Sequence, residues 1–74
     1  MIMKDNIVVS TEYVVEINDE NTCNFIRQVD VFDTYEKAVA YTENHSDCGD
    51  GEYYNIIFID YNKDGDEVGF GTVC

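Results

Sequence analysis

Residues 29–44 read Val-Asp-Val-Phe-Asp-Thr-Tyr-Glu-Lys-Ala-Val-Ala-Tyr-Thr-Glu-Asn, and within this stretch the apolar residues change their spacing. Up to Val31 they alternate with polar residues, which is typical of a half-buried strand. From Tyr35 onward they fall three or four positions apart, which predicts an amphipathic helix. Asp33 is a good N-cap residue and Glu36 follows it at the capping-box position, so we expect a helix over residues 34–44.

Strand patterns flank this helix on both sides. Residues 7–17 alternate in polarity, a polar turn follows, and residues 22–32 alternate again, so the two strands should pair as a hairpin. After the helix, residues 52–61 are strongly β-forming and apolar on both faces. The turn at residues 62–65 ends in glycine, which predicts a type I hairpin turn leading into a last strand over residues 67–73.

The order ββαββ predicts a single α+β domain over residues 1–74, with one antiparallel four-stranded sheet and one helix packed across one face. Gly69 and Gly71 alternate with the apolar residues of the last strand, which indicates a bulge or a close backbone approach. The face without a helix should mix apolar and acidic side chains. Such a mixture favours self-association or a partner surface, although loose packing by long side chains explains it equally well. The residues expected on it include Val14, Ile26, Ile57, Ile59, Tyr61 or Tyr53, Glu12, Glu16 and Asp30.

Charge is the strongest functional signal in the chain. Sixteen acidic residues stand against four basic ones, which gives a net charge of −12 on 74 residues, whereas a net charge of magnitude ~2–8 keeps a small domain soluble. The acids are spread among 45% hydrophobic residues, unlike a disordered acidic tail. The excess charge therefore predicts an electropositive partner.

A membrane and an oxidising compartment are both disfavoured. No segment approaches the ~20 apolar residues that span a bilayer, and the charge has the wrong sign for anionic lipids. The chain has three cysteines without a close pair, and its N-terminus lacks the apolar stretch of a secretory signal. We therefore expect a cytoplasmic protein with free thiols at Cys23, Cys48 and Cys74.

Metal-binding and catalytic patterns are incomplete. Residues 60–66 match the first seven positions of a calcium loop, but Gly71 occupies the twelfth position, where a bidentate glutamate is needed, and the flanks are strands. His45 and Cys48 form half of a zinc motif. An acidic surface disfavours a nucleophilic thiolate, and no glycine-rich phosphate cradle is present. We expect no metal, no cofactor and no enzymatic activity.

In its size, its charge and its compact α+β plan, the whole chain resembles the small acidic phage proteins that block host defence nucleases, including many anti-CRISPR proteins. The resemblance implies an inhibitor that acts by stoichiometric binding in the cytoplasm, which is the host cytosol if the protein is phage-encoded. The partner would be a basic nucleic-acid-binding protein, such as a nuclease or its nucleic-acid-binding subunit, and not the nucleic acid itself.

Carboxylates can imitate phosphates in such an inhibitor. Alternate residues of a strand lie about 7 Å apart, roughly two phosphate steps at ~3.4 Å axial rise per strand. The expected partner-binding residues are acids with two tyrosine anchors, namely Glu12, Glu16, Asp19, Glu20, Asp47, Asp50, Tyr53, Tyr61, Asp64, Asp66 and Glu67. The alternative is a small accessory module, either a homodimer or a monomer, whose acidity serves only solubility. A third and weaker alternative is a calcium or zinc binder.

Overall fold

The computed structural model describes residues 6–45 and 48–73. Within these ranges four strands form one antiparallel sheet with the order β2-β1-β3-β4, and one helix accompanies it. The ββαββ plan predicted from the spacing of apolar residues is thus confirmed. The elements are β1 Ser10–Asp19, β2 Phe25–Phe32, α1 Tyr35–Asn44, β3 Glu52–Tyr61 and β4 Glu67–Thr72.

The helix packs across one face of the sheet, as expected. Ala38 of α1 is fully buried against Val15 of β1 and Ile56 of β3. Tyr41 extends this core sideways, because its ring lies 5.7 Å from that of Phe32 and 6.1 Å from that of Tyr54. No helix in the described ranges has the length and apolar character needed to cross a bilayer.

The first hairpin has a longer turn than its sequence predicts, and β2 begins at Phe25 rather than at residue 22. The carboxylate of Asp19 accepts hydrogen bonds from the backbone N–H groups of Asn21 at 2.8 Å and Thr22 at 3.2 Å, which holds the chain in a turn. Cys23 then adopts a φ of 61°, a left-handed conformation that does not fit a strand. These local bonds replace the first pairs of the expected ladder.

The helix begins one residue later than predicted, and the predicted N-cap is wrong. Thr34 is the N-cap, with φ −133° and ψ 152°, and its hydroxyl accepts the N–H of Lys37 at 3.2 Å. Asp33 instead pairs with the Lys37 ammonium at 2.9 Å. That hydrogen bond, followed by the charge of Lys37, lowers the pKa of the Asp33 carboxyl. Thr34 thus caps the helix while the carboxylate of Asp33 is engaged by Lys37.

Replacing Thr34 with alanine should lower the free energy of unfolding by about 1 kcal/mol, because the N–H of Lys37 loses its acceptor. Asp33→Ala removes only an exposed ion pair and should cost less. Urea denaturation of the two variants measures the difference. A larger loss of stability in Asp33→Ala than in Thr34→Ala would show that Asp33 is the N-cap.

The second hairpin follows its sequence closely. Gly65 has a φ of +83° and donates its N–H to the Asn62 carbonyl at 3.0 Å, which confirms the type I turn. The predicted close approach is also present, because an ideal Cβ at Gly71 would lie 2.9 Å from Cε1 of Phe58. The ring of Phe58 therefore lies over β4, and the register shift between Asp60 and Tyr61 supplies the predicted bulge.

Candidate partner-binding face of the sheet

The face of the sheet opposite α1 is hereafter called the open face. Val15 and Ile56 point toward the helix, so the residues that alternate with them point away from it. The cross-strand registers then define the open face. Its members include Phe25, Gln28 and Val31 on β2, Ser10, Glu12, Val14, Glu16 and Asn18 on β1, Tyr53, Asn55, Ile57, Ile59 and Tyr61 on β3, and Phe70 and Thr72 on β4.

Apolar side chains occupy the middle of the open face. Val14 is 5% exposed, and its cross-strand neighbours are Val31 and Ile57. In the next row Ile59 stands opposite Phe70, which is 79% exposed. Glu12 and Glu16 flank this apolar row, so the predicted mixture is present on this face. Asp30, which was expected here, is instead in register with Val15 and belongs to the helix side, because the pairing of β2 shifts by one residue between Val15 and Glu16.

The two glutamates of the open face are held in place by donors on β3. The Tyr61 hydroxyl donates to Glu12 Oε2 at 3.1 Å, and the Asn55 amide donates to Glu16 Oε1 at 3.0 Å. Desolvation, and then the hydrogen bond to Glu12, raise the pKa of the Tyr61 hydroxyl. Side chains that are already ordered lose less conformational entropy when a partner binds.

No positive charge accompanies these glutamates among the described strand residues of the open face. Arg27 is in register with Ile17, whose side chain shares the orientation of Val15, and it pairs with Glu52 at 3.3 Å. Lys37 belongs to α1 and pairs with Asp33, while Lys63 lies in the turn between β3 and β4. Along its described strands the open face therefore carries acidic but no basic side chains.

A backbone hydrogen bond and the salt bridge with Arg27 together stabilise the charged form of Glu52. The N–H of Gly49 donates to Glu52 Oε1 at 2.8 Å. This hydrogen bond is the main reason why the pKa of the Glu52 carboxyl is lowered. Desolvation opposes the shift, and Arg27 adds a smaller lowering. Glu52 and Arg27 thus fix the start of β3 against β2 and take no part in the open face.

The other predicted binding residues lie at the two ends of the sheet. Asp19, Glu20 and Asp50 occupy one end, where the Glu20 N–H donates to the Gly51 carbonyl at 2.8 Å and joins two turns. At the other end, Asp64, Asp66 and Glu67 belong to the β3–β4 hairpin. The length of β3, ten residues or about 33 Å, separates the two groups. Asp47 lies outside the described residues.

The predicted acids therefore form a line rather than one cluster. Glu16 and Glu12 stand between the two end groups, four residues apart on β1, which is about 13 Å along the strand. Tyr53 lies on the open face opposite Asn18, near the end that carries Asp19. The sequence did not single out Phe70 or Asn55 as site residues. The pattern Gly-Phe-Gly at residues 69–71 is the signal for Phe70. The two glycines face the crowded helix side of the sheet, so the ring between them must lie on the open face.

Two side-chain oxygen atoms of the calcium-like stretch already accept hydrogen bonds within the protein. Asp60 Oδ1 accepts the Thr11 hydroxyl at 2.7 Å, and Asn62 Oδ1 accepts the N–H groups of Asp64 and Asp66. Within the described part of the chain, no three His, Cys, Asp or Glu side chains are grouped so that they would hold a metal ion. His45 stacks on Tyr41 with ring centroids 3.9 Å apart.

No family model, no curated protein and no solved structure matches the chain significantly.

Proposed function

We propose that this protein is a small acidic interaction protein that binds a basic nucleic-acid-binding protein stoichiometrically and blocks its nucleic-acid site. The target would be a host defence nuclease, such as a CRISPR effector, and binding would take place in the cytoplasm without catalysis. One observation carries the proposal. The open face holds Glu12 and Glu16 in fixed positions and carries no lysine or arginine among its described strand residues.

The spacing of the acids supports imitation of phosphates. The two glutamates stand about 13 Å apart along β1, which is about four phosphate steps of ~3.4 Å. The acids at either end of the sheet extend this line in both directions. A groove whose lysines and arginines contact phosphates would meet carboxylates at multiples of the axial phosphate rise, and the electrostatic attraction would speed the encounter.

The apolar residues of the open face supply the second requirement of a stable complex. Charged residues at the rim of an interface mainly set its association rate, whereas buried aromatic anchors hold the complex together. Phe70 is 79% exposed and stands beside Ile59, so it has the position of such an anchor. The target would therefore combine basic residues with an apolar contact for this ring.

The exposed ring of Phe70 also favours the alternative of a homodimeric accessory module. Two copies that met through their open faces would bring Glu12 and Glu16 of both chains into one interface, and like charges in an interface cost several kcal/mol. The net charge of −12 adds a general repulsion between copies. A basic partner would cover the same surface without this repulsion between like charges.

Binding should be measured by biolayer interferometry against a panel of purified RNA-guided and restriction nucleases, with labelled DNA or RNA as the competitor. We expect a one-to-one complex that excludes the nucleic acid. Its affinity should fall steeply between 0.1 M and 1 M salt, because the screening length shortens from ~10 Å to ~3 Å. A complex that is insensitive to salt and leaves the nucleic acid bound would refute imitation of phosphates. A stable dimer by sedimentation, lost in Phe70→Ala, would favour the accessory module.

A further inference from the structure

A groove on the helix side of the sheet has no role in the function proposed above. It has a volume of about 440 Å³ and lies where Tyr35 begins α1, on the part of the sheet formed by β1, β3 and the residue after β4. Its lining is aromatic and acidic, and consists of Thr11, Tyr13, Tyr35, Phe58, Asp60 and Val73. None of these residues is basic.

Three aromatic rings give the groove its chemical character. The rings of Tyr13 and Tyr35 lie 6.0 Å apart and are tilted by 60°, so they meet as two walls of a corner. Phe58 supplies a third ring, and the missing side chain of Gly71 makes room for it. The faces of aromatic rings carry negative electrostatic potential and attract organic cations within about 6 Å of the ring centroid.

One carboxylate completes the lining and is fixed in its orientation. Asp60 Oδ1 accepts the Thr11 hydroxyl at 2.7 Å. Oδ2 lies over Gly69, 3.0 Å from where a Cβ would stand, so any larger residue there would press on the carboxylate. Asp60 is half-buried, and a partly buried charge is screened less by salt than an exposed one.

We propose that this groove binds an organic cation, namely an alkylammonium or guanidinium group whose charge faces Asp60 and whose carbon atoms lie against the tyrosine and phenylalanine rings. An anion would be repelled by Asp60 and by the net charge of −12. A neutral apolar ligand would desolvate Asp60 without compensating its charge, which is costly. The inference is independent of the proposed partner, because it concerns the other face of the sheet.

Nuclear magnetic resonance titration tests the groove with three defined probes: tetramethylammonium, N-acetyl-arginine amide and the neutral isostere N-acetyl-citrulline amide. We expect saturable shifts of the Thr11, Tyr13, Tyr35 and Phe58 signals with the two cations and none with the citrulline compound. Tighter binding of the arginine compound would identify a protein side chain as the natural ligand, and tighter binding of tetramethylammonium a free quaternary amine. Equal binding of the citrulline compound would overturn the proposal.

Two matched variants separate a local site from general attraction. Asp60→Asn keeps an acceptor for the Thr11 hydroxyl and removes one charge, and it should weaken cation binding about tenfold, a factor that corresponds to ~1.4 kcal/mol. Glu43→Gln removes one charge from the exposed far end of α1 and should leave the affinity unchanged. Equal weakening by both variants would overturn the groove as a site. Because Glu12 and Glu16 are untouched, nuclease binding by Asp60→Asn reports on the proposed function separately.

Discussion

Replacing Ile17 with alanine should lower the free energy of unfolding by about 3 kcal/mol, within the range of ~2–5 kcal/mol found for truncated buried aliphatic side chains. Ile17 is fully buried in the central strand β1, in register with Arg27 on one side and Tyr54 on the other. Its removal leaves a cavity that neighbouring strands, held by their hydrogen bonds, cannot fill.

The loss is large relative to the whole molecule. Natural domains have about 0.05–0.15 kcal/mol of stability per residue, which amounts to roughly 4–11 kcal/mol for a chain of this length. Urea denaturation measures the effect, and Phe70→Ala is the matched control. Phe70 is 79% exposed, so its truncation should change the stability by no more than about 0.5 kcal/mol. Equal losses in the two variants would show that the core lies elsewhere.

Reversing the charge of both open-face glutamates, Glu12→Lys with Glu16→Lys, should slow association with the basic target about 10- to 1000-fold at low salt. Attraction between opposite charges speeds the encounter with the basic target, and ammonium groups in place of the carboxylates would repel that target. The dissociation rate should change less, because the apolar contacts of Phe70 and Ile59 remain. Stopped-flow or interferometric association rates at several salt concentrations measure both effects.

A matched double variant shows whether position or total charge matters. Glu36→Lys with Glu43→Lys changes the net charge by the same amount, but both residues are exposed on α1, on the opposite side of the sheet. We expect a clearly smaller reduction of the association rate in this variant. Equal reductions would mean that the open face has no special role and that the net charge alone attracts the target.

The spacing of apolar residues was sufficient to predict the two faces of β1, but not those of β2, where two register shifts place Asp30 on the helix side. The period of two in β1 correctly placed Val15 and Ile17 on one side and Glu12 and Glu16 on the other. Glycine in the Asn62–Gly65 turn marked the second hairpin, because it takes a φ of +83° there. These features depend on neighbours in sequence, which is why the sequence alone reveals them.

Other features depend on choices that local sequence does not decide. Asp33 and Thr34 are both good N-cap residues. In the structure Thr34 is the N-cap, and the Asp33 carboxylate forms an ion pair with Lys37 instead. Which donors hold the glutamates is set by the pairing of β1 with β3, whose partners are 39 to 49 residues apart along the chain. The groove at Asp60 likewise exists only after Tyr35 and the sheet have come together.

The irregular pairing of β2 has a consequence for the behaviour of the protein at high concentration. β2 forms one edge of the sheet, and three of its apolar side chains, Phe25, Ile26 and Val31, are at least 39% exposed. A regular edge of this kind would template the addition of further chains and lead to fibrils. Two register shifts interrupt its ladder with β1, and bulged strands present a twisted, discontinuous row of N–H and C=O groups. The bulges and the shared negative charge together should keep the chain from polymerising through this edge.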